Sequence, residues 1–123
     1  MDAAGMPVGC IVTAGTTPDC TKAIELLEDL DGEALFGDRA YDTNDIIEFA
    51  TERGMLLVIP PKKNRLVQRE YDKELYKLRH LVENAFLKMK QWRGIATRYA
   101  KNTDSYLSAV LICCMKLWLC KLV

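Results

Sequence analysis

The order of apolar runs between residues 8 and 59 leaves this chain few folds to choose from. Three short runs, residues 8–13, 34–36 and 55–59, are too brief for helices and rich in β-branched or large aliphatic side chains, so each reads as a buried strand. Two amphipathic stretches separate them. In the first, Thr17-Pro18 supplies a cap and a first helical residue, Ala23, Ile24, Leu26, Leu27 and Leu30 line one face, and Asp31-Gly32 ends it. In the second, Thr43 or Asn44 caps a helix carrying Ile46, Ile47 and Phe49 and closed by Gly54, while Pro60-Pro61 stops the run that follows. Strand, helix, strand, helix, strand predicts an α/β unit with a parallel element. The chain opens on the turn Asp2-Ala-Ala-Gly-Met-Pro with no strand before it, which predicts further structure upstream of Met1.

Residues 76–90 follow a different period. On a helix advancing about 100° per residue, with Tyr76 at zero, Arg79 falls near 300°, Glu83 near 340° and Lys90 near 320°, so four polar side chains share one stripe. Leu75, Leu78, Val82, Ala85, Phe86 and Met89 fall on one flank as core, and Lys77, His80, Asn84 and Lys88 on the other as solvent face. The spacing suits an ordinary amphipathic helix with an i,i+4 Arg/Glu pair, and equally a row of side chains set at the edge of a site.

Net charge is zero, yet the two halves differ. Residues 1–60 carry twelve acidic and three basic side chains, a balance of −9, and residues 61–123 carry fourteen basic and five acidic, a balance of +9. A polyanion would bind the basic half, although the halves could also simply attract one another within the fold. Its cations fall in two segments. Pro60-Pro61-Lys62-Lys63-Asn64-Arg65 is a stiff basic loop at the end of a predicted strand, suited to phosphate contact. After Lys90, the rings of Trp92 and Tyr99 alternate with Arg93, Arg98 and Lys101, an interleaving that suits nucleic acid, while Trp92 also suits a core.

With 123 residues and 50% apolar composition, one domain with one core is expected. Five cysteines without Cys-x2-Cys spacing, and a single histidine, argue against a zinc site and for buried thiols in a reducing cytoplasm. Asn102 or Thr103 caps a final helix that is apolar nearly all round. Lys116 and Lys121 interrupt it, which predicts a helix buried against the sheet and no membrane partner.

The motif Tyr76-x2-Arg79-x3-Glu83-x6-Lys90 resembles the signature of DDE transposases of bacterial insertion sequences, in the large group numbered four and five. Asp38-Arg39-Ala40-Tyr41 is similar to the motif around their second catalytic acid, and the Ile59–Arg65 and Trp92–Tyr99 segments resemble the same family. The resemblance covers the chain and implies residues 1–123 of a ribonuclease H-like domain, its C-terminal portion, incomplete, with three short strands and long C-terminal helices. It implies that Asp38 and Glu83 are catalytic ligands to Mg²⁺, with Mn²⁺ as a substitute, and that Tyr76, Arg79 and Lys90 position DNA or balance charge. In that chemistry two divalent ions activate water or a 3′ hydroxyl and stabilise the leaving oxygen. Lys62, Lys63, Arg65, Trp92, Arg93 and Arg98 are the further DNA-contacting candidates, the partner being the transposon ends.

The family's first acid, an Asp followed one residue later by Thr, has no counterpart here, and Asp2 sits in a turn of the wrong kind. A truncated or second-frame transposase is therefore expected, inactive by itself, completed by a segment from an upstream frame and assembling as a homo-oligomer. The competing expectation is a non-enzymatic DNA-binding or oligomerising remnant that interferes with intact transposase. A third is a small structural domain whose basic half meets an acidic protein.

Overall fold

The computed structural model describes residues 1–96 and 102–122 and divides them into two compact units. One is continuous, Gly15–Arg79; the other combines Met1–Ala14 with His80–Val123. This division redistributes the charge, since the continuous unit carries −4 and the other +4, so the basic loop at Lys62 belongs to the more acidic unit.

The continuous unit is built on two strands, β1 (Ala34–Phe36) and β2 (Leu56–Val58), paired in parallel with Leu35 opposite Leu57. Helix α2 (Asn44–Glu52) makes the crossover a parallel pair requires. Thr43 starts it by accepting from the Ile46 N–H, and Gly54, at φ +66°, ends it. The Gly54 and Met55 N–H groups reach back to the Thr51 and Ala50 carbonyls, closing the last turn as a Schellman motif. Ile46 and Ala50 of α2 pack with Val58 and Ile59 as the buried core of this unit.

The first predicted helix is shorter than its apolar spacing suggested. A 3₁₀ turn at Asp19–Lys22 leads into α1 (Ala23–Leu27), with Pro18 as the extended cap residue. Arg53 closes the far end of α1, its guanidinium donating to the carbonyls of Leu27, Glu28 and Leu30 while stacked 4.6 Å over the Phe49 ring. A cation at a helix C-terminus satisfies carbonyls the helix leaves open and complements its dipole. The unit ends in α3 (Lys73–Tyr76), capped by Asp72, and a 3₁₀ turn at Lys77–Arg79.

The other unit contains α4 (His80–Lys90), α5 (Arg93–Ala96) and α6 (Thr103–Leu122). Its N-terminal segment is the predicted turn. The Asp2 carboxylate accepts from the Ala4 and Met6 N–H groups, and Gly5 takes φ +74° with its Cα against Leu81. Met6, Ala85, Met89 and Cys113 are the buried hydrophobic side chains. Trp118 donates its indole N–H to the Pro7 carbonyl at 2.8 Å, and Asn102 caps α6 through the Asp104 N–H.

Three expectations need correction. Residues 8–13 form no strand, so the described residues hold two strands rather than three; the run has no neighbour to complete a ladder, and propensity cannot substitute for a partner. Residues 76–90 do not form one uniform helix, because the 3₁₀ turn advances about 120° per residue and shifts the phase by roughly 60° over three residues. Lastly, α6 is not enclosed. Cys113 is buried on one face, while Leu111, Ile112, Met115 and Leu119 on the opposite face are exposed. By length and composition alone α6 is apolar enough to cross a membrane, the two lysines notwithstanding.

Candidate active site

Asp38 stands two residues beyond β1, at the carboxyl end of a parallel strand, where open α/β sheets bind ligands. Its Oδ1 accepts from the Ala40 N–H at 2.8 Å and starts the 3₁₀ turn Arg39–Tyr41, as an N-cap does. Among the described residues no hydrogen bond engages Oδ2, and the side chain is exposed. The carboxylate therefore has one oxygen tied to the backbone and one facing solvent.

An open pocket of about 410 Å³ adjoins it, lined by Asp38, Arg39, Ala40, Pro60, Tyr71, Tyr76 and Arg79. Tyr76 meets Tyr71 edge-on, with ring centroids 5.7 Å apart, and the Arg79 guanidinium lies 5.7 Å over the Tyr76 ring. Such an edge-to-face pair and a cation over a ring face hold both side chains in place. Burial, with the nearby Asp19 and Asp38 charges, raises the Tyr41 hydroxyl above its ordinary pKa, so it stays protonated beside Asp38.

Beyond β2, the basic loop is fastened from beneath by Asp42. This carboxylate is 1% exposed and accepts from the Lys62 N–H at 2.6 Å, Arg65 Nε at 2.6 Å and Arg69 NH1 at 3.1 Å. Arg65 also donates to the Asn44 amide oxygen and the Asp42 carbonyl, and Arg69 to the Ile59 carbonyl. Burial alone would raise the Asp42 pKa, but the Lys62 N–H and the two guanidiniums outweigh it and hold the carboxyl below its ordinary value. Gln68 then bridges the Lys62 and Arg65 carbonyls. Of the loop's cations, Arg65 and Arg69 are thus built into the fold, whereas Lys63 is exposed and Lys62 half-exposed.

Asp38, Tyr76 and Arg79 thus meet at one pocket of the continuous unit, with Lys62, Lys63 and Arg65 in the same unit. The other candidates belong to the second unit. Glu83 and Lys90 lie seven residues apart on α4, hence on one face, and both are exposed. Trp92 is half-buried with the Lys116 ammonium 5.4 Å over its ring, and the exposed Arg93 opens α5. Arg98 lies outside the described residues. Among the described residues, no three His, Cys, Asp or Glu side chains converge as a metal cluster.

The residue that sequence reasoning missed is Asp42. In Ala-Tyr-Asp-Thr it resembles any turn acid before a capped helix; the available clue was the surplus of cations at 62–69, which require a counter-charge when their loop packs down.

An exposed carboxylate at the end of a parallel strand, beside paired tyrosines, an arginine and a lysine-bearing loop, suits an α/β protein that handles an anionic substrate. The family described as "Transposase DDE domain" matches residues 1–118, and the chain belongs to this family. It is 33% identical, over 121 residues spanning 97% of this chain and 93% of the relative, to a Brucella ovis protein named "Putative transposase for insertion sequence element IS6501". No solved structure matches the chain.

Proposed function

We propose that this chain supplies two of the acidic ligands and much of the DNA-contacting surface of a ribonuclease H-like insertion-sequence transposase, and needs a further carboxylate to cleave DNA. The observation that carries this is the pocket in which the family-motif residues Asp38, Tyr76 and Arg79 meet although they are far apart in sequence. By their resemblance to the family's acidic motif positions, Asp38 and Glu83 would each offer a carboxylate to Mg²⁺ or Mn²⁺. The solvent-facing Oδ2 of Asp38 fits an ion that takes one or two carboxylates and fills its octahedron with water and phosphate oxygens. An ion held there would supply polarisation of the nucleophile and charge stabilisation at the leaving 3′ oxygen.

The chain's own side chains account for the rest. Arg79, held over Tyr76, offers a planar fork of donors to a phosphate at the pocket mouth. Tyr76, braced by Tyr71, sets the side on which the backbone of the strand can lie. Lys62 and Lys63 contact neighbouring phosphates, and Arg65 holds their loop in register. By resemblance to the family, Lys90, Trp92, Arg93 and Arg98 are further DNA contacts.

Cleavage of a labelled transposon-end duplex with Mg²⁺ tests the reading. This chain alone should leave the duplex intact, and the chain extended upstream to include an Asp-x-Thr strand should nick it. Asp38→Asn or Glu83→Gln in the extended protein should abolish nicking. Nicking by the unextended chain would overturn the need for a third acid, and nicking that survives both substitutions would overturn the site.

A further inference from the structure

The two most exposed hydrophobic side chains in the described structure are neighbours, Leu66 at 103% and Val67 at 80% relative exposure, and they sit at the tip of the loop that Asp42 fastens. Single exposed aliphatic residues are common on protein surfaces and need no explanation. Here the backbone on both sides is tied down. Arg65 is bound to Asp42 and Asn44, Gln68 bridges the Lys62 and Arg65 carbonyls, and Arg69 is bound to Asp42 and to the Ile59 carbonyl. The Arg65 N–H closes a turn onto the Lys62 carbonyl. Two aliphatic side chains are thus held out into water on a braced support and cannot fold back onto the core.

We infer that Leu66 and Val67 form a wedge that enters duplex DNA between adjacent base pairs and unstacks them. The charge beside the tip selects this occupant. Lys62 and Lys63 precede it in the same loop and favour a polyanion, and proteins that kink duplex DNA insert Leu, Ile, Met or Phe between base steps while basic neighbours hold the phosphates. Opening a step is unfavourable, so a wedge needs a support that does not yield, which the buried Asp42 anchorage provides. The inference rests on the DNA-binding reading above and adds the distortion and the residues that cause it.

The test uses the full chain and a duplex carrying 2-aminopurine, whose fluorescence rises when it unstacks. The wild-type chain should raise the emission several-fold on binding, at one or a few probe positions. Leu66→Ala/Val67→Ala should remove most of that rise while leaving the slope of log affinity against log salt unchanged, because the phosphate contacts remain. Leu66→Met should retain the rise, and the melting temperature of the double variant should match wild type because both side chains are exposed. Normal salt-dependent binding with no fluorescence rise, or an equal rise in the double variant, overturns the wedge and leaves the DNA-binding reading standing. A double variant that loses self-association in sedimentation but keeps the rise would place a second copy on the tip and also overturn it. No binding at low salt overturns both readings.

Discussion

Replacing Asp42 with alanine removes the acceptor that the Lys62 N–H, Arg65 and Arg69 share. Breaking a buried ion pair from one side costs about 3–5 kcal/mol, because the remaining charges lose their partner. The Asp42 side chain is fully enclosed, but those of Arg65 and Arg69 are 27% and 25% exposed and would recover some hydration, which places the loss at the lower end, about 3 kcal/mol. For a chain of this size each kcal/mol shifts the melting temperature by about 4 °C, so a fall of roughly 12 °C is expected at neutral pH. Asp42→Asn keeps one acceptor oxygen and should lose about half as much, about 1.5 kcal/mol. The pH dependence follows from the depressed pKa. Since the folded value lies below the unfolded one, near 3.9, the Asp42 contribution is complete above about pH 4 and is lost as pH falls through the folded value. Thermal melts of wild type, Asp42→Ala and Asp42→Asn between pH 7 and pH 3 test this. A melting temperature for Asp42→Ala within about 2 °C of wild type at pH 7 would refute the account of the cluster, as would an acid limb equally steep in Asp42→Asn.

Asp38→Asn should retain nearly full stability, since Asn caps as well as Asp, yet lose Mg²⁺ affinity measured by calorimetry, whereas Asp38→Ala should also lose about 1 kcal/mol in urea unfolding. Arg53→Ala removes donors to three carbonyls and a ring contact, and should cost about 1–2 kcal/mol with faster amide exchange confined to α1. Trp118→Phe deletes the donor to the Pro7 carbonyl and should cost about 1 kcal/mol in the same unfolding assay. Burial raises the pKa of Cys10, Cys113 and Cys114, so near pH 8 iodoacetamide should modify them later than the exposed Cys120, as read by mass spectrometry.

Local chemistry was legible wherever it acts over a few residues. The Thr43 and Asn102 caps, the Gly54 stop and the Asp2 turn all form as their sequences imply. So did the parallel pair, because two short apolar runs flanking an amphipathic helix have few alternatives. That Asp38, Tyr76 and Arg79 line one pocket is a proximity in space that their spacing along the chain does not encode. Features that depend on tertiary partners were not legible. Residues 8–13 have strand propensity but pair with no strand among the described residues, and α6, apolar on every side, gave no sign of which face would be covered. The 3₁₀ turn at Lys77–Arg79 shifted a helical phase that a constant 100° wheel had carried straight through. Arg65, read as a phosphate contact, proved to be tied to a carboxylate twenty-three residues earlier, a pairing that spacing does not encode.

The division of the chain into a continuous unit and a split one bears on its synthesis. Gly15–Arg79 is synthesised as a single stretch, and every residue of its strand pair, crossover helix and buried carboxylate cluster is in the chain before His80 is added. Met1–Ala14 is synthesised before that stretch and His80–Val123 after it, although the two belong to one unit. Pro7 accepts its hydrogen bond from Trp118, which is added 111 residues later. At roughly 5–20 residues per second, Pro7 waits about 6–22 seconds for that partner to be made, long enough for holdase chaperones to bind this segment of the nascent chain.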